Sequence, residues 1–224
     1  MKNIEKLPKE SNRDYAFRVI RENIIKLELK PGTMLSEQDL AYELDLSRTP
    51  VHEALQELSK SKIIEVFPQK GSLVSLINME LVEEAVFVRS TLESVITKEA
   101  CKIATPEDIK ELADNVDLQE LLLKQNNVDK FMELDNSFHQ KMYSITNKMQ
   151  CYYMVKSMNI HHERFRELRV HDGNRAIIIT QHKQILQAFK DKNPDQAYEI
   201  THTHINRTRM DAQEIQKKYP EYFI

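Results

Sequence analysis

Three histidines and one aspartate in the C-terminal half have the types and spacing of a metal site. Asp135 and His139 stand four residues apart. On a helix, that spacing sends both side chains off one face, where they can share an ion. His182 falls within the stripe Ile178, Ile185 and Phe189, and His204 within Ala197, Ile200 and Thr208, so both face inward. His202 points about 160° away from His204 on the same helix. Three imidazoles and a carboxylate meeting inside a helical bundle suit zinc, nickel or manganese, with water or a small molecule completing the shell. Taken singly, each histidine is more simply a satisfied core or surface residue. His161, His162 and His171 share no such pattern and are expected on a surface or in a loop.

Two further sets stand out. Arg89 lies inside the stripe Ala85, Val88, Leu92 and Ile96, where an unpaired guanidinium is costly. Either a structural ion pair, with Glu93 or a neighbouring helix, or an anionic effector answers that cost. In the N-terminal half, residues 48–59 place Val51, Ala54, Leu55 and Leu58 on one face and Thr49, His52 and Gln56 on the other, with Arg48 at the margin. A helix with one apolar side and one short polar side has the form of a groove-reading helix.

The elements that must carry these residues are legible in order. A first helix is expected over 11–29, capped by Ser11 and stopped by Lys30-Pro31-Gly32. Ser36 caps a second, with Leu40, Ala41 and Leu44 inward, and Asp45-Leu46 form a turn. Ser47 is expected to cap the third helix, with Pro50 in its first turn. The runs 63–67 and 72–76, joined by Pro68-Gln69-Lys70-Gly71, predict a hairpin. Together these make a winged helix-turn-helix over 1–77. Residues 78–224 then read as six helices and no strands: about 78–101, from Thr105, 129–146, 151–168, 176–190 and 195–218, with a loop at His171-Asp172-Gly173-Asn174. The fold class is therefore mainly α.

Composition narrows the function classes. At 224 residues with 41% hydrophobic and 30% charged side chains, the chain has material for two soluble domains. No stretch approaches the ~18 apolar residues of a membrane span, and the N-terminus lacks the apolar core of a secretory signal. Cys101 and Cys151 fit no paired motif, so a cytoplasmic location is expected. Residues 1–77 carry twelve Lys/Arg against twelve Asp/Glu, so any nucleic-acid role rests on where particular basic groups point.

The segment Leu40-Ala41, Leu44, Leu46-Ser47-Arg48-Thr49-Pro50-Val51, Glu53-Ala54-Leu55, Leu58 and Gly71 closely resembles the winged helix-turn-helix of GntR-type bacterial transcription regulators. The second half resembles the all-helical effector domain of that family's FadR branch, in its shorter form. The resemblance implies a homodimer on a palindromic duplex operator. Arg48 would meet DNA from the start of the recognition helix, and Gly71 would let the wing backbone approach the minor groove. Thr49, His52, Gln56 and Gln38 would lie on the same surface, with Lys70 in the wing. His52 and Gln38 stand where relatives carry arginine. The Asp135-x-x-x-His139 pair, Gln181-His182-Lys183-Gln184-Ile185-Leu186 and His204 match all four positions of that branch's metal site. The resemblance also places Arg89 in the pocket for a small carboxylate effector. Two other readings are a metal-dependent hydrolase, which lacks an evident general base, and a winged-helix protein-interaction module.

Overall fold

A computed structural model describes residues 1, 2, 4–172 and 175–224. By internal contacts the chain divides into two compact units. One comprises Met1–Val82, Met158–Glu167 and Glu214–Ile224; the other comprises Glu83–Ser157 and Leu168–Gln213.

The first unit contains α1 (Asn12–Ile25), β1 (Met34–Leu35), α2 (Glu37–Glu43), α3 (Arg48–Lys60), β2 (Ile64–Phe67) and β3 (Gly71–Val74). Ser11 and Ser36 cap α1 and α2, accepting from the amides of Asp14 and Asp39. Ser47 precedes α3 without a side-chain cap bond. Helix α1 ends four residues sooner than its apolar spacing predicts, because Leu27 turns into the left-handed region at φ 59°. The hairpin is present, and β3 also pairs with β1, which hydrophobic patterning did not mark. The sheet order is β1-β3-β2, antiparallel throughout. Two residues are too few to show a period of two. Val51, Ala54, Leu55 and Leu58 of α3 pack with Ala16, Val19, Ile20 and Ile24 of α1 and with Ile64 and Val74 of the hairpin.

Gly71 has a local reason to be glycine. Its φ is +113°, and a Cβ there would lie 2.7 Å from the Leu35 carbonyl oxygen, so β1, the third strand beside the hairpin's two, itself excludes a side chain.

The remaining helices are α4 (Met79–Ile103), α5 (Pro106–Lys124), α6 (Val128–Ile145), α7 (Met149–Met158), α8 (Ile160–His171), α9 (Arg175–Lys190) and α10 (Pro194–Lys218). The single helix expected over 151–168 is two, α7 and α8. The break falls at Asn159, whose side chain meets His162 Nδ1 at 2.8 Å and whose carbonyl accepts from Glu163. Asparagine competes with helix continuation in this way. Thr105 and Asp108 form a reciprocal capping box at α5. Three glycines serve the whole chain, so Asp45, Asn126, Asn147 and Lys192 take the left-handed position where α2, α5, α6 and α9 end. Each is followed by an amide bonded five residues back. The expected loop at 171–174 begins at Asp172, after His171 ends α8; Gly173 and Asn174 lie outside the described residues. The core of the second unit gathers Phe131, Phe138, Met142, Val170, Ile185 and Phe189.

Candidate metal centre and nucleic-acid interface

Helix α6 brings Asp135 and His139 inward on one face, while α9 supplies His182 and α10 supplies His204. All four are at most 5% exposed, and one ligand atom from each lies within 4.8 Å of the others. His202 is exposed, as helical geometry predicts.

Hydrogen bonds behind the centre fix which nitrogen each ring presents. Asn115 of α5 donates its amide nitrogen to the Leu134 carbonyl at 3.2 Å, so its oxygen must accept from Gln119 Nε2 at 2.7 Å. Gln119 therefore turns its oxygen to His182 Nδ1, 2.9 Å away, and that nitrogen carries the hydrogen. His204 Nδ1 meets Gln181 Oε1 at 2.9 Å, and His139 Nδ1 meets the Glu93 carboxylate. With each Nδ1 so occupied, three Nε2 lone pairs face inward. The Nε2 atoms of His139 and His204 lie 3.2 Å apart, too close for two lone pairs unless a proton or a cation sits between them. At His204 burial, then the neighbouring His182 and His139 rings and the charges of Arg169 and Arg89, push the pKa well below the ordinary imidazole value. Neutral imidazole is the form that binds metal. The donor set thus fits a divalent ion, and Gln119, Gln181 and Glu93 are the outer partners that orient such ligands.

Arg89 is 6% exposed and donates from Nε to Glu93 Oε2 at 2.9 Å, the ion pair that the sequence left as one of two alternatives. Burial raises the Glu93 pKa, but the Arg89 charge and then the adjoining His139 ring outweigh it and hold the carboxyl ionised, well below its usual range. Among the described residues, that bond to Glu93 is the one the guanidinium makes. Tyr143, one turn beyond His139, buries its hydroxyl without a hydrogen-bond partner among the described residues. Burial and then the Glu93 charge push its pKa up. Tyr143 is a polar group the sequence reading passed over; its signal was the i, i+4, i+8 series Asp135, His139, Tyr143.

The other histidines divide. His171 is exposed at the end of α8, but His161 and His162 are 4% and 1% exposed, not on a surface. Both lie in the first turn of α8. His161 Nδ1 accepts from the Asn78 amide at 3.1 Å, and its Nε2 lies 3.3 Å from the Lys62 carbonyl.

In the first unit, Arg48, His52 and Gln38 line one concavity with Lys70 and Gly71 of the wing. Thr49, His52 and Gln56 are exposed on the face of α3 away from the core. Residues 13–74 match the family described as bacterial regulatory proteins of the gntR family, and residues 84–207 match the FCD domain. The chain belongs to the GntR family, in its FCD branch. An uncharacterised HTH-type transcriptional regulator in an unstable DNA locus of Streptomyces ambofaciens is 30% identical over 95% of this chain and 90% of its own length. The repressor RspR of Escherichia coli K12 is 26% identical over 92% and 91%. The solved structure of E. coli McbR/YncC shares the fold with a TM-score of 0.77 at 20% identity, covering 94% of this chain and 99% of that one. As a GntR regulator the chain is no enzyme, which removes the hydrolase reading. Among the described residues, no helix is long and apolar enough to cross a membrane.

Proposed function

We propose that this GntR regulator is a cytoplasmic homodimer whose residues 1–77 bind a palindromic operator and whose residues 78–224 sense a small carboxylate through a divalent metal. Asp135, His139, His182 and His204 hold the ion, zinc most readily, with nickel or manganese also suited to the donors. The observation that carries this reading is the convergence of three Nε2 lone pairs and one carboxylate, each ring being held from behind at Nδ1.

When bound, the ion supplies a fixed positive charge and a place for an oxygen ligand. Its charge also sets the effector class. Asp135 and Glu93 are negative and Arg89 positive, so the buried group with a divalent ion is one charge short of neutral. A single carboxylate supplies that charge, and buried charge without compensation is strongly disfavoured. Arg89 directs it, and the Tyr143 hydroxyl offers a donor for a second oxygen. An effector shifts the two halves between DNA-competent and incompetent states only by binding one more tightly; a swing from 1:99 to 99:1 takes about 5.5 kcal/mol.

Elemental analysis of gently purified protein tests the centre. One ion per chain is expected in the wild type and far less in His139→Ala. Substoichiometric metal in both would refute it. Salt-dependent affinity for the chain's own upstream DNA tests the other half.

A further inference from the structure

The reading face of α3 is held from behind by an acid. Glu37 opens α2 directly after its cap Ser36, and its carboxylate reaches two exposed side chains of α3. Oε1 lies 2.7 Å from His52 Nδ1, and Oε2 lies 3.6 Å from Arg48 Nη2. The side chains of Arg48 and His52 are 69% and 50% exposed, that of Glu37 only 23%. The anchor lies beneath and the readers outside.

A carboxylate on a surface that meets phosphates opposes binding, so its position calls for a compensating role. An ionised carboxylate only accepts hydrogen bonds. His52 Nδ1 must therefore carry its hydrogen, and Nε2 is the atom left for the groove, a lone pair when the ring is neutral. Arginine at such a place offers donors alone, which match N7 and O6 of guanine; a lone pair matches the exocyclic amino group of adenine or cytosine. We propose that Glu37 is a positioning residue that fixes the His52 tautomer and so makes His52 select adenine or cytosine over guanine and thymine. The inference rests on α3 as the groove-reading helix.

Selection from a randomised duplex library at pH 8 tests it with the full chain and three variants. His52→Arg marks the base position that His52 faces by turning it to guanine. The wild type is expected to prefer adenine or cytosine there roughly fivefold, the worth of one hydrogen bond, and His52→Ala to show no preference. Glu37→Gln, whose amide both donates and accepts, no longer fixes the ring. It is expected to lose the preference to the level of His52→Ala, while its affinity for a scrambled duplex rises about twofold at low salt, because a negative charge has left the face. A merely structural Glu37 would instead lower affinity for selected and scrambled duplexes together. That joint loss, a preference retained in Glu37→Gln, guanine or thymine at the wild-type position, or no position answering His52→Arg overturns the proposal. A wild type that selects no duplex at all strikes the DNA-reading assignment itself.

Discussion

Acidification should weaken the chain through His161, by an amount the geometry allows to be worked out. The ring is buried in the first turn of α8, accepting from the Asn78 amide and facing the Lys62 carbonyl. Burial, then the charge of Arg164, lowers its pKa to about 4, against a smaller opposing pull from the Lys62 carbonyl. An unfolded imidazole titrates near ~6.5, so between those values the unfolded chain binds the proton and the folded chain does not. The sign follows: the contribution is fully present above pH ~6.5, declines as pH falls, and is gone below about 4. At pH 5 the loss is about 2 kcal/mol, and below pH 4 it approaches about 3 kcal/mol. Urea melts of wild type and His161→Gln at pH 7.5, 6 and 5, with chelator present, isolate this term, because the other histidines cancel in the difference. The wild type should be the more stable at pH 7.5, with its advantage shrinking by about 2 kcal/mol at pH 5. An advantage that stays constant across that range would refute the reasoning.

Glu93→Gln keeps an acceptor for His139 but removes the charge that binds Arg89; metal affinity should fall about 10- to 100-fold in competition with a chromogenic chelator. Glu93→Ala should in addition destabilise the apo chain by about 3–5 kcal/mol in denaturant melts, since it leaves Arg89 buried and uncompensated. Gly71→Ala should cost about 1–3 kcal/mol in the same melts, from its positive φ and the collision with the Leu35 carbonyl; an unchanged midpoint would show that the third strand is dispensable.

The sequence revealed the clustered side chains more readily than what orients them. The inward direction of Asp135, His139, His182 and His204 is legible because each stands in or beside an apolar stripe whose helical period gives its direction, and the same period separates His204 from His202; their grouping as one set rests on the resemblance to the FadR branch. Their supports were hidden for different reasons. Gln119 sits among Leu112 and Val116 on the buried side of α5, where a fully buried amide was a signal open to reading; its partner lies 63 residues away, a pairing no local pattern encodes. Gln181 adjoins His182 but serves His204 on another helix. The α7–α8 break was missed because apolar periodicity continues across Asn159, whereas the competing side-chain bond is visible only in three dimensions. The burial of His161 is hidden from the sequence for a related reason: the backbone groups of Lys62 and Asn78 that satisfy it are distant along the chain.

The hydrogen-bond chain that begins at the Leu134 carbonyl has a mechanical consequence. Helix α6 contributes Asp135 and His139 directly, and through Leu134, Asn115 and Gln119 it also aims His182. Three of the four candidate donors thus depend on the position of α6, with the His139 ring also held by Glu93 on α4, whereas His204 is held by Gln181 on α9. Turning α6 about its own axis would misdirect all three at once, whereas sliding α10 would alter, within the cluster, the contacts of His204 alone. For the geometry of this cluster, rotation of α6 is therefore the more disruptive motion and displacement of α10 the less.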